Sequence, residues 1–120
     1  MGFQRMWICL NNAFLSVIEP IPGSDVLRVR ARRKGDIEKV FPDAKVQRTP
    51  GRDYLYRAEI DRELVAQAMA DQVRNISYGN FKDSVGNKKL HDAYARFWGI
   101  MANLQELRPY SRGRGQGALL

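Results

Sequence analysis

Cysteine and histidine are nearly missing from this chain, with one of each in 120 residues. Cys9 therefore has no partner for an intramolecular disulfide. A lone thiol suits a reducing compartment, and within an apolar strand Cys9 reads as a small buried hydrophobe. Zinc sites gather several Cys, His or carboxylate ligands at close spacing. Cys9 and His91 stand far apart, so no zinc site is expected. A carboxylate-held Mg²⁺ needs only one or two protein carboxylates and is left open by composition. No other cofactor is implied. Long apolar runs are missing too. The longest, Ala13 to Ile18, falls far short of the ~18 to 20 residues of a spanning helix. The N-terminal apolar stretch breaks off at Asn11-Asn12 without a signal-cleavage pattern, and no myristoylation signal follows Gly2. The expectation is a cytoplasmic protein with no membrane partner.

Catalytic signatures are also scarce. No Gly-x-x-x-x-Gly-Lys-Ser/Thr phosphate loop occurs. Pro42-Asp43-Ala44-Lys45 has a metal-nuclease look, but Glu59-Ile60-Asp61 lacks the Lys that such a site requires. His91 and Asp92, with Asp83 and Ser84 nearby in sequence, form a Ser, His, Asp set without a nucleophile-turn signature. An enzyme using His91 is thus an alternative, and a non-enzymatic protein is the main expectation.

Positive charge is what the sequence has in surplus. Twenty Lys and Arg face 13 Asp and Glu, a formal net charge of +7. With 44% hydrophobic residues the chain has the composition of an ordinary globular domain. Its length suits one modest core. Collagen-like, disulfide-stapled and largely disordered chains are excluded.

The first half reads as strands. Trp7–Leu10 and Ala13–Ile18 flank Asn11-Asn12, a pair suited to a two-residue hairpin turn. Pro20 to Asp25 is turn chemistry. Val26 to Arg33 alternates, with Leu27, Val29 and Ala31 pointing one way and Arg28, Arg30 and Arg32 the other. Asp36 is placed to cap a short helix carrying Ile37, Val40 and Phe41, which Pro42 ends. Ala44–Thr49 and Tyr54–Ile60 are further strands around a Pro50-Gly51 turn, with Tyr54, Tyr56, Ala58 and Ile60 on one side. The second half turns helical. Asp61 caps a helix to about Asn75, with a stripe of Leu64, Val65, Ala68, Met69, Gln72, Val73 and Ile76. A last helix runs from about Lys88 to Pro109, with Leu90, Tyr94, Phe97, Trp98, Met101 and Leu104 on one face.

The predicted order is β-β-β-α-β-β-α-α. That is an α+β fold: a two-layer antiparallel sheet of four to five strands, with two long C-terminal helices and one short helix on it. Residues 1–5 read as an optional extension, 6–108 as a single domain and 109–120 as a flexible Arg/Gly tail.

The densest charge is Arg28, Arg30, Arg32, Arg33 and Lys34. In a strand, the three alternate arginines are spaced about 6.6 Å apart, near the phosphate spacing of a nucleic-acid strand. Arg also grips phosphate bidentately. Arg48 and Arg57 would widen the patch if they share its face. Otherwise, the patch is a solvated face, or one fitted to an acidic protein partner. Tyr78, Phe81 and Lys82 form a loop able to stack a base and touch a phosphate, unless the two rings fold into the core. The Arg-Gly steps at 112–115 add a weak single-strand-binding signal.

Several segments are also familiar as wording: Met6 to Ser16, Arg30 to Glu38, Tyr78 to Val85, and Leu90 to Tyr94. They resemble a family of short, uncharacterised bacterial and phage proteins over about residues 6 to 105. The resemblance implies a bacterial or phage setting and a domain starting at Met6. It brings no activity and no site residues. The expectation is a small basic binding module for nucleic acid or a nucleoprotein complex. The alternative is a protein-binding inhibitor or accessory factor of a phage or mobile element.

Overall fold

The computed structural model describes residues 5–107. The tail expected at 109–120, the helix stop at Pro109 and the first four residues lie outside this range. The described chain falls into two compact units, divided between Ser77 and Tyr78.

The first unit is a five-stranded antiparallel open sheet with two helices. Its strands are β1 (Arg5–Cys9), β2 (Phe14–Ile18), β3 (Val26–Ala31), β4 (Gln47–Arg48) and β5 (Tyr56–Asp61), ordered β1-β2-β3-β5-β4. Helix α1 (Asp36–Val40) follows β3, and α2 (Arg62–Arg74) leaves directly from β5. The α+β class, the antiparallel pairing and the element order agree with the sequence reading.

The β1–β2 hairpin closes at Asn11-Asn12, where the Leu10 N–H donates to the Ala13 carbonyl at 2.8 Å. Alternation in β3 follows its burial. Val29 and Ala31 are fully buried, whereas Arg28 and Arg30 are half-buried on the other face. The core joins Leu15, Val17, Val29, Ala31, Ala58 and Ile60 from the sheet to Ile37 and Phe41 of the α1 segment and Val65 of α2. Fully burying an aliphatic side chain such as Leu15, Val29 or Ile37 contributes about 1.5–3 kcal/mol.

Several local expectations need correction. The strand expected over Ala44–Thr49 shortens to Gln47–Arg48. Thr49 turns inward, its N–H donating to the Leu55 carbonyl and its hydroxyl to the Tyr54 and Leu55 carbonyls. These bonds close the loop that Gly51 permits at φ 92°. Gly35, also at φ 92°, holds the N-cap of α1, so Asp36 is the helix's first residue. Asp61 sits at the N-cap of α2 without a side-chain capping bond. The start of α2 is held instead by Arg62. Its N–H donates to the Asp25 carbonyl, and its guanidinium grips the Ser24 carbonyl and Glu19. In the α2 stripe only Val65 is buried, while Leu64, Val73 and Ile76 are exposed.

The second unit holds a short 3₁₀ turn (Lys82–Ser84) and helix α3 (Lys88–Ala102). Asn87 caps α3, its side-chain oxygen accepting from the Leu90 N–H at 3.0 Å. The helix ends near Asn103, short of the expected stop. There, three successive i→i−3 bonds, from Asn103, Leu104 and Gln105, tighten the last turn. Leu90 and Tyr94 are buried, but Trp98, Met101 and Leu104 are exposed. Among the described residues, no helix is long and apolar enough to cross a membrane.

Candidate nucleic-acid interface

In an antiparallel sheet, directly paired residues project to the same face. The registers therefore determine which arginines belong together. Arg30 pairs with Ser16 on one side and Arg57 on the other, and Arg57 pairs with Gln47. Ser16 in turn pairs with Trp7. The result is one row across the sheet: Trp7, Ser16, Arg30, Arg57, Gln47. The next row on the same face is Arg5, Ile18, Arg28, Glu59.

Arg57 thus joins Arg28 and Arg30, as the patch required. Arg48 does not, because it pairs with Tyr56 and projects to the opposite side. The sequence pattern alone left open whether Arg48 and Arg57 share the face of Arg28 and Arg30, since alternation within a strand does not give its register against β3.

Around these arginines the pairing is uneven. Arg28 has a carboxylate partner, its Nε donating to Glu59 at 2.6 Å. Arg30 donates from Nη2 to the Ser16 hydroxyl at 2.8 Å. Arg57 has Asp53 at 3.8 Å. The Nε atoms of Arg30 and Arg57 are both buried without an acceptor. Desolvation lowers the Arg57 pKa below its ordinary value, and the charges of Arg52, Arg28 and Arg30 lower it further; Asp53 opposes them. Like charges directly opposite one another destabilise a sheet.

Tyr54 organises the other end of the cluster. The guanidinium carbon of Arg30 lies 4.3 Å from the ring centroid, and that of Arg32 lies 4.1 Å from it. Arg32 also donates to the Asp53 carbonyl at 2.7 Å. Tyr54 was expected beside Tyr56, but it precedes β5 and meets the arginines instead. Its role, with those of Asp53, Arg52 and Ser16, escaped the sequence reading. So did Arg5 and Trp7, which the register brings onto this face.

Arg33 is diverted from the patch. It binds the buried Asp36 through Nε at 3.1 Å and Nη2 at 2.9 Å. Lys39 approaches the same carboxylate at 3.6 Å. Asp36 also accepts the Phe14 N–H at 3.1 Å, where β3 has already ended beside β2. Arg33 and Lys39 further donate to the Asn12 carbonyl, tying the hairpin turn to this carboxylate. Lys34 is exposed beyond the end of β3.

In the second unit, the Tyr78 and Phe81 rings meet edge to face at 5.7 Å, and Phe81 lies 5.5 Å from Tyr94 of α3. Both rings are half-buried, as is Lys82. His91 is one-third exposed, with Nδ1 3.6 Å from Asp92, which Lys88 binds at 2.9 Å. Among the described residues, no hydroxyl side chain is bonded to His91 or Asp92.

A cleft of about 450 Å³ runs along the first unit between the end of α1, β5 and α2. Asp43, Asp61 and Asp71 line it, so it disfavours the anions that an arginine cluster attracts. Among the described residues, no three metal-ligating side chains converge. Comparison with protein-family models, curated proteins and solved structures finds no match.

Proposed function

We propose that this protein is a small basic binding module that holds the phosphate backbone of nucleic acid on the β3–β5 face. Arg28, Arg30 and Arg57 form its centre, and Arg32 and Arg52 extend it. The observation that carries this reading is the direct opposition of Arg30 and Arg57. A like-charge pair with two unmatched Nε atoms costs folding free energy. Violations of a local rule of this kind concentrate at functional sites. A polyanion supplies the missing negative charge, and guanidinium forks suit phosphate oxygens. Arg33, committed to Asp36, is assigned to the fold. A lone thiol at Cys9 suits a reducing compartment, which supports a cytoplasmic setting for this activity.

The test is a fluorescence-anisotropy titration with labelled oligonucleotides at low salt. Binding should weaken steeply as salt rises, because phosphate contacts release counterions. Arg28→Ala and Arg30→Ala should each weaken it, while Arg48→Ala should not. Absence of binding at low salt, or equal effects of all three substitutions, refutes the assignment.

A further inference from the structure

We infer that the nucleic acid held by this face is single-stranded, with a base stacked on Trp7. The inference rests on the phosphate-binding reading above and assigns its substrate class. Trp7 is 61% exposed, unusual for a residue whose burial would contribute so much. Its ring meets Phe14 edge to face, centroids 5.8 Å apart at 73°. That contact steadies the indole while leaving ring surface exposed.

Trp7 lies in the same register row as Arg30, two strands away. At ordinary strand spacing the separation is about 10 Å. A nucleotide spans such a distance from its phosphate to the outer edge of its base. Arg5 is two residues along β1 on the same face, and its own row leads to Arg28. The exposed indole is therefore framed by guanidiniums along its strand and across the sheet. A strand following the arginines of β3 would direct its bases over β2 towards β1. A duplex cannot use this arrangement, because its bases are stacked within the helix. Stacking on an aromatic side chain accepts any base, so little sequence preference follows.

The experiment compares an oligothymidine of roughly 15 nucleotides, the matching duplex and an abasic strand of the same length, each labelled for anisotropy. The native chain should prefer the oligothymidine. Trp7→Ala should weaken that complex on the order of tenfold and leave the duplex and abasic affinities within about twofold. Trp7→Phe should restore most of the loss. In a Trp98→Phe background, Trp7 emission should be quenched by oligothymidine and not by the abasic strand.

If oligothymidine binds with arginine and salt dependence but Trp7→Ala and the abasic strand change nothing, the stacking inference falls and the phosphate-binding reading stands. If none of the three strands binds, both fall. The anisotropy series on the Trp7 variants decides the matter if Trp98→Phe does not fold.

Discussion

Replacing Arg57 by Met should make the fold more stable while weakening its hold on polyanions. Arg57 is only 13% exposed in its side chain and stands directly opposite Arg30. Three contributions set the magnitude. Removing a like-charge cross-strand neighbour returns about 0.2–1 kcal/mol. Removing a buried donor without an acceptor returns about 1–3 kcal/mol, reduced here because the rest of the guanidinium can be solvated. Against these stands the loss of the 3.8 Å pair with the exposed Asp53, about 0–1 kcal/mol. Met keeps an unbranched apolar stem in place of the arginine methylenes. The net expectation is a gain of about 1 kcal/mol, or a Tm about 4 °C higher for a domain of this size.

The sign agrees with the titration. The Arg57 pKa is lowered in the fold, chiefly by desolvation, so the folded state disfavours its charge. This cost is fully present below the folded pKa and is relieved only as the pH rises through it, under strongly alkaline conditions. Substitution is therefore the practical lever. Thermal and urea unfolding followed by circular dichroism would measure the gain, which should shrink at high salt as screening weakens the repulsion. In parallel, if Arg57 holds a phosphate as proposed, the salt slope of single-strand binding should fall by about 0.7. A Tm lowered by several degrees would refute the reasoning, because it would make Arg57 a net structural asset.

Three further outcomes follow from the same geometry. Asp36→Asn should destabilise the first unit by about 2–4 kcal/mol in urea unfolding, since Arg33 and Lys39 lose their shared buried carboxylate. Adding Arg33→Met should recover part of that loss in a double-mutant cycle. Tyr54→Leu should cost about 1–3 kcal/mol through the two lost cation–π contacts and ring packing, with Tyr54→Phe near wild type in thermal unfolding. Asp92 should titrate below its usual value in carboxyl-detected NMR, because the Lys88 hydrogen bond favours its ionised form, and Lys88→Met should bring it back up. Its stabilising contribution is complete above the ordinary carboxylate pKa and is lost only as the pH falls through the lowered one.

Local chemistry in the sequence was enough to determine the α+β class, the element order, the Asn11-Asn12 turn and the inward face of β3. Each depends on neighbours within a few residues: alternation, turn chemistry and helical spacing. It also located the arginine-rich strand. Which arginines share a face was decided only by the tertiary structure, because cross-strand register joins residues far apart in the chain. Register set Arg57 opposite Arg30 and sent Arg48 to the other side. It brought Arg5 and Trp7 onto the arginine face. The end of β3 beside Phe14 left a strand N–H for Asp36 to accept, and that buried carboxylate drew Arg33 out of the patch. A surplus of positive charge can be counted along a chain, but which charges act together depends on which strands lie side by side.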